Sequence, residues 1–166
     1  MPEQFKGFLD SPTAENRETR WLTPSWVVEP LGDFDLDPCG APEHSLARVT
    51  YMPENGKDGL VEPWFGRVWC NPPYGKQSVP FMKRLSEHGN GIALVFARTD
   101  TKMFHDYVFD SADALLFIKS RVSFIPGAGT TTKTDRSGAP SVLVAYGKEN
   151  VRALEECGIA GKFIRL

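Results

Sequence analysis

The chain has 166 residues, of which 41% are hydrophobic and 24% charged, and its formal net charge at pH 7 is -2. This length predicts one domain, large enough to bury a core and too small for a separate target-recognition domain. No apolar run approaches a membrane span, and residues 1–12 contain no apolar signal region, so we expect a cytoplasmic protein without membrane partners.

The cysteines and histidines do not show the spacing of a metal site. Cys39, Cys70 and Cys157 are far apart and odd in number, which predicts neither a disulfide framework nor a zinc site. The three histidines, including His44, are equally scattered, and the simpler interpretation is that they mostly face solvent. The sequence therefore predicts no bound metal.

The two parts of the chain differ in charge. Residues 1–64 carry 12 acidic and 5 basic side chains, a net charge of -7, whereas residues 65–166 carry 9 and 14, a net charge of +5. A basic part suits a protein that presents one face to a polyanion, although solvated surface charge explains the same numbers.

The first structural signals lie near the start of the chain. Residues 1–20 are polar and show no hydrophobic periodicity, so we interpret them as a flexible arm. Thr23 or Ser25 can cap a helix that has Pro24 near its first turn and ends at Gly32. Alternatively, the Thr23-Pro24 turn helps to line a ligand pocket.

Two acidic residues are predicted beside strand ends. Residues 33–40, DFDLDPCG, alternate apolar and acidic side chains before a turn, which predicts a strand with Asp37 at its tip. An acid in this place either holds a cofactor with amine or hydroxyl groups or caps the next turn. A second strand is predicted over residues 49–52, and Asp58, in the loop that follows, either caps a short helix or contacts a cofactor.

Residues 67–75, RVWCNPPYG, are predicted to form a strand and turn at the centre of the fold. The apolar strand must stop at Asn71, because Pro72 and Pro73 cannot donate hydrogen bonds to a sheet. This stop places Asn71 and Tyr74 at the carboxyl edge of a sheet, where α/β folds bind their ligands.

This junction suits transfer of a group to an exocyclic amine. The lone pair of an aromatic amine is delocalised into the ring, so the amine must be reorganised before it attacks an electrophile. The Asn71 side-chain oxygen and the Pro72 carbonyl can each accept one of its hydrogens while Tyr74 stacks on the ring. The alternative is a tight turn with a packed tyrosine.

The rest of the chain alternates helices and strands. Helices are predicted over residues 78–88, 100–110 and 148–157, and strands over residues 91–97, 112–119, 141–147 and 162–166. Lys83 and Arg84 should face outward from the first helix, and Asp100 should cap the second. This alternation predicts an α/β fold with a mostly parallel sheet and helices on both faces.

Residues 126–140 are rich in glycine, threonine and basic residues and lack large apolar side chains. They predict an exposed loop, which is either a lid or nucleic-acid loop or a disordered connection.

Several motifs, in this order, resemble one family. WLTP, DLDPC, DGL with a following Trp, VWCNPPYG and FARTDT look like the phage-type, Dam-like DNA N6-adenine methyltransferases, which are S-adenosylmethionine enzymes of the Rossmann-like class I fold. The resemblance covers about residues 20–147. NPPY alone also resembles methyltransferases of protein glutamine and ribosomal RNA, whereas the ordered combination is much more specific.

The resemblance implies roles for particular residues. Those that match the catalytic motif are Asn71, Pro72, Pro73 and Tyr74. The cofactor-binding set implied for S-adenosyl-L-methionine is Thr23, Pro24, Asp37, Pro38, Cys39, Asp58 and Asn71. The substrate is then an adenine of double-stranded DNA that leaves the duplex and stacks on Tyr74, because its N6 amine is otherwise paired. One departure is that the cofactor loop, DPCGAPEHS, has a single glycine where a glycine-rich turn is usual.

The resemblance also implies a DNA partner and a location in the cytoplasm of a bacterial host cell. Candidate phosphate contacts are Lys76, Arg98, Arg121, Lys133 and Arg136. Two alternatives stay open: a methyltransferase of protein glutamine or ribosomal RNA, and a non-catalytic nucleic-acid-binding module. The absence of a docking domain and the WxTP motif favour DNA, and intact Asn71 and Tyr74 favour an enzyme.

Overall fold

The computed structural model describes residues 21–126, 135–136 and 138–166. The strands are β1 (Trp21–Leu22), β2 (Leu36–Asp37), β3 (Val49–Thr50), β4 (Val68–Cys70), β5 (Gly91–Phe96), β6 (Ala114–Ile118), β7 (Ser123–Pro126), β8 (Asp135–Arg136), β9 (Ser141–Tyr146) and β10 (Gly161–Arg165). The helices are α1 (Ser25–Val28), α2 (Ser78–His88), α3 (Lys102–Phe104) and α4 (Lys148–Glu156). The expected arm over residues 1–20 lies outside the described residues.

The larger sheet has seven strands in the order β10-β6-β9-β5-β4-β2-β3. The β2–β3, β2–β4 and β4–β5 pairings are parallel, whereas the β5–β9, β6–β9 and β6–β10 pairings are antiparallel. The sheet is therefore mixed, and the expectation of a mostly parallel sheet is not met. A parallel pair needs a long crossover, usually a helix, and the described residues between β6 and β9 contain strands instead.

Helices cover both faces of this sheet, as expected. Successive side chains of β5 point to opposite faces, so that Ile92 and Leu94 join one core while Ala93 and Val95 join the other. The first core includes residues of α1 and α4, and the second includes residues of α2 and α3. A strand buried on both faces is apolar throughout, which explains the GIALVF run of β5.

Of the predicted helix caps, Gly89 at the end of α2 is confirmed, whereas neither Thr23 nor Ser25 caps α1, whose N-cap is Pro24 without a side-chain cap hydrogen bond. α2 ends at Gly89, whose φ of +73° is the left-handed conformation that glycine adopts without strain. The predicted cap of α3 was wrong by one residue: Thr101, not Asp100, accepts a hydrogen bond from the Phe104 amide. Both residue types are good caps, so the sequence alone could not choose between them. α3 then continues as a π-helical turn over His105–Phe109.

A second sheet, in the order β1-β7-β8, was not predicted. β1 pairs antiparallel with β7, with Leu22 opposite Ile125. β8 lies within the region that the sequence predicted to be a loop. In the described part of the chain, no helix is both long and apolar enough to cross a membrane.

A buried polar network joins the beginning of β4 to the beginning of α4. Arg67 is buried, and its guanidinium lies 4.3 Å from the centre of the Phe34 ring. Its Nε donates to Asn150 Oδ1 over 2.7 Å, and its Nη1 donates to the Asp33 carbonyl over 3.0 Å. Asn150 Nδ2 donates in turn to the Tyr146 carbonyl over 2.7 Å. This network lies at the start of β4, at the opposite end of that strand from Asn71.

We expect Asn150→Leu to lower the free energy of unfolding by about 2 to 4 kcal/mol, because it leaves the buried Arg67 Nε without an acceptor. Urea denaturation measures this change. Arg152→Ala, on the exposed side of the same helix, is the control and should change stability by less than about 0.5 kcal/mol. Equal effects of the two substitutions would show that the network contributes little.

Candidate active site

A cleft opens where the strand order of the larger sheet changes direction. From β2 the chain first adds β3 on one side, and then returns to add β4 and β5 on the other side. Such a switch point leaves a crevice at the carboxyl ends of the two central strands, which is where open α/β sheets bind ligands. The cleft here has a volume of about 910 Å³, and Asp37 and Asn71 both line it.

Most of the predicted catalytic and cofactor-binding residues meet in this cleft. Those that line it are Thr23, Asp37, Pro38, Cys39, Asp58, Asn71, Pro72, Pro73 and Tyr74. Pro24 lies just outside, at the beginning of α1, where its carbonyl accepts a hydrogen bond from the Val27 amide over 3.0 Å.

The Asn71 side chain has one end fixed and one end free. β4 ends at Cys70, immediately before Asn71, as the two prolines require. Asn71 Nδ2 donates a hydrogen bond to Thr23 Oγ1 over 3.0 Å. Among the described residues nothing donates to Asn71 Oδ1 or to the Pro72 carbonyl. Two unpaired acceptors are thus next to each other in the chain at the cleft.

The Tyr74 ring packs against two other aromatic rings. Phe96, the last residue of β5, stacks on it with a centroid distance of 4.5 Å and an interplanar angle of 3°. Phe124 of β7 meets it at 80° with a centroid distance of 6.2 Å. Burial raises the pKa of Tyr74 to about 12, so the hydroxyl stays neutral at physiological pH. Phe96 therefore holds the plane of the ring by covering one of its faces.

The sequence did not identify these two neighbours of Tyr74. Phe96 was predicted only as part of a buried strand, and Phe124 lay between the strand predicted over residues 112–119 and the loop predicted over residues 126–140. The alternation of apolar and polar residues in RVSFIP is the one local signal for β7. In the structure β7 pairs with both β1 and β8.

Asp37 is a buried carboxyl group that has no cationic partner in the described part of the chain. It is 3% exposed, and its Oδ1 accepts a hydrogen bond from the Cys39 amide over 3.0 Å. Burial raises the pKa of Asp37 to about 7, and this one hydrogen bond opposes the shift. No lysine, arginine or histidine of the described residues forms an ion pair with it. Because the carboxylate is uncompensated, a cationic ligand group would stabilise its charged form.

The loop that contains Asp58 packs against Pro38, in the loop after β2. Asp58 Oδ1 accepts a hydrogen bond from the Leu60 amide over 2.8 Å, so Asp58 caps a turn while lining the cleft. Gly59 lies so close to Pro38 that an added Cβ would come within 1.8 Å of the Pro38 carbonyl oxygen. Only glycine allows this approach without a shift of the backbone.

Arg84 holds the same loop from the side of α2. Its Nη1 donates to the Gly59 carbonyl over 2.8 Å and its Nη2 to the Glu62 carbonyl over 2.6 Å. Its guanidinium also lies 5.2 Å from the centre of the Trp64 ring. The expectation that Arg84 faces outward was therefore wrong, because the loop 58–64 folds back over α2 and offers it two carbonyl acceptors.

His44 also lies at the cleft, which corrects the expectation of a solvent-facing ring. It lines the cleft, and its buried Nε2 has no hydrogen-bond partner among the described residues. Burial lowers the pKa of His44, so the ring is neutral at pH 7. The Thr23 hydroxyl bonds instead to Asn71, the residue that follows β4.

Comparison with known proteins identifies the family of the chain. The family model for DNA N-6-adenine-methyltransferase (Dam) matches residues 10–155, which include every residue of the cleft. The chain belongs to this Dam family. A search of curated proteins found no match.

A Dam-family protein acts on DNA, and three of the five predicted phosphate contacts are described. Lys76, Arg98 and Arg121 are exposed and follow the carboxyl ends of β4, β5 and β6, which point to the same edge of the sheet. Arg98 also lies 5.6 Å from the centre of the Phe96 ring. The side chains of Lys133 and Arg136 lie outside the described residues.

Within the described ranges, no cluster of three or more His, Cys, Asp or Glu side chains is arranged to hold a metal ion.

Proposed function

We propose that this Dam-family protein transfers a methyl group from S-adenosyl-L-methionine to the N6 amine of an adenine flipped out of double-stranded DNA. The observation that carries the proposal is the cleft at the switch point, which brings the buried Asp37 carboxyl and the free Asn71 Oδ1 to the ends of adjacent strands. The switch point and the two helical layers support the Rossmann-like class. Recognition and catalysis are proposed to share a single domain.

The residues of the cleft fit the cofactor. Its amino acid part carries an ammonium group, which suits the buried and unpaired carboxylate of Asp37. Pro38, Cys39 and Asp58 are proposed to line the rest of its site, although this loop is poor in glycine. When bound, the cofactor supplies a methyl group on a sulfonium, which is a strong electrophile.

At the end of β4, Asn71 Oδ1 and the Pro72 carbonyl are proposed to accept one N–H each from the adenine amine. Their partial negative charges favour the amine as positive charge develops on its nitrogen, which is where preorganised dipoles contribute most to the rate. Tyr74 stacks on the flipped base, with Phe96 as the ring behind it. No strong base is needed, because the charged amine product loses its proton readily.

The exposed cations near the cleft are proposed to bind DNA phosphates. Lys76, Arg98 and Arg121 share one sheet edge, and Lys133 and Arg136 are candidates in the segment after β7. Each neutralised phosphate releases counterions, so binding should weaken steeply with salt.

We expect affinity for the cofactor to fall as the pH drops through about 7, because the cofactor's ammonium prefers the ionised form of Asp37, whose own pKa is raised to about 7. Between pH 8 and pH 6 the dissociation constant should rise about tenfold, which calorimetry can measure. Asp37→Asn should bind more weakly than wild type at pH 8, approach the wild-type affinity as the pH falls, and lose this slope. Asp58→Asn, an exposed carboxyl at the same cleft, should keep it. A slope unchanged in Asp37→Asn would assign the titration to another group.

The test of the proposed function is methyl transfer from tritiated S-adenosyl-L-methionine to duplex DNA, followed by digestion and separation of the nucleosides. The expected product is N6-methyladenine. If the tritium were found on cytosine, on ribosomal RNA or on protein, that molecule and not adenine would be the substrate. Binding of DNA with no transfer to any of these substrates would favour a non-catalytic module.

A further inference from the structure

Thr23 occupies a buried position beside the proposed catalytic motif. It is 1% exposed and lies between β1, which pairs with β7, and α1. Its hydroxyl oxygen accepts the hydrogen bond from Asn71 Nδ2, across 48 positions of sequence. Burial and this hydrogen bond fix the Thr23 hydroxyl beside Asn71.

A side-chain amide offers an acceptor at one end and two donors at the other. If the Asn71 amide turned over, its NH₂ would face the adenine amine, and two donors would then oppose each other. The bond from Nδ2 to Thr23 Oγ1 occupies the donor end and leaves Oδ1 as the end without a partner among the described residues. With the Thr23 hydroxyl as acceptor, the contact holds the amide in the orientation that the reaction requires.

We propose that Thr23 is a positioning residue that orients the Asn71 amide for methyl transfer; the inference rests on the proposed function and deepens it. This role differs from the cofactor contact that the sequence motif implies. If the Thr23 hydroxyl bound the cofactor, its removal would raise the dissociation constant of the cofactor. Because the hydroxyl instead positions Asn71, its removal lowers the rate of transfer from the fully bound complex.

Thr23→Val and Thr23→Ser separate these roles, because valine keeps the shape of threonine without the hydroxyl and serine keeps the hydroxyl. In single-turnover reactions with saturating cofactor and DNA, Thr23→Val should slow transfer about tenfold to a hundredfold, somewhat less than the removal of a group aimed directly at the reacting atoms. Its dissociation constant for the cofactor should stay within about twofold of wild type, since the hydroxyl bonds to Asn71. Thr23→Ser should restore most of the rate.

The orientation of Asn71 is also measured without any reaction, from the side-chain amide signals of ¹⁵N-labelled protein. The Asn71 NH₂ signals should keep their shift and slow hydrogen exchange in Thr23→Ser and lose both in Thr23→Val. Thr23→Ala provides the same comparison if the valine variant does not fold. Unchanged Asn71 signals in a folded Thr23→Val protein, or weaker cofactor binding with an unchanged rate, would overturn the proposal. If the wild type shows the amide signature but transfers no methyl group, the proposed function fails and the Thr23–Asn71 hydrogen bond stands.

Discussion

Asn71→Ala is expected to reduce methyl transfer by at least about a hundredfold while the affinities for cofactor and DNA stay nearly intact. The physical reason is that an acceptor beside the adenine amine interacts more strongly as charge develops on nitrogen than it does in the bound ground state. The two quantities to compare are the single-turnover rate of tritium transfer and the dissociation constant of the cofactor.

The substitution should not disturb the fold, because Asn71 is only partly buried and its one side-chain hydrogen bond goes to Thr23. Thermal melting of the variant provides the check. A variant with full activity would remove Asn71 from the mechanism. A variant whose cofactor binding falls in proportion to its rate would move Asn71 from catalysis to cofactor binding.

Tyr74→Ala should weaken capture of the flipped adenine by about 1 to 3 kcal/mol, which is the scale of stacking between a base and an aromatic side chain. The effect should appear mainly as a higher KM for DNA. Tyr74→Phe is the matched control and should keep most of the activity, because stacking needs the ring. The hydroxyl adds little, since the pKa of Tyr74 is raised to about 12 and it does not ionise during the reaction.

The stack with Phe96 affects how this experiment is read. Tyr74→Ala also removes a ring pair that contributes about 0.5 to 1.5 kcal/mol beyond its buried area, so the variant should be less stable. Kinetics must therefore be measured well below its melting temperature. If Tyr74→Phe were as impaired as Tyr74→Ala, the hydroxyl and not the stack would be the functional group.

The position of the cleft could be predicted because it depends on local backbone chemistry. Pro72 and Pro73 lack amide hydrogens, so β4 has to end at Asn71 wherever the strand lies in the fold. Asp37 ends β2 for a similarly local reason, since DPCG is a turn sequence. Once the alternation of elements indicates parallel neighbours, the two strand ends must share one edge of the sheet.

The contacts within the cleft could not be predicted, because they join residues that are distant in sequence. The Thr23–Asn71 bond depends on β1 pairing with β7, and neither of these short strands has a strong pattern of its own. The sequence of α2 predicted that Arg84 is exposed, but in the structure the loop 58–64 folds back over α2 and accepts its hydrogen bonds. Packing between elements overrides local preference in each case.

The sequence by itself determined where the strands of the site stop and which functional groups stand at their ends, since proline, glycine and aspartate restrict the backbone in their immediate neighbourhood. Tertiary structure alone decided the direction of β9, the stacking of Phe96 on Tyr74 and the orientation of the Asn71 amide. These features depend on which distant elements pair and pack. The free energies of such long-range contacts cannot be predicted from any local stretch of sequence.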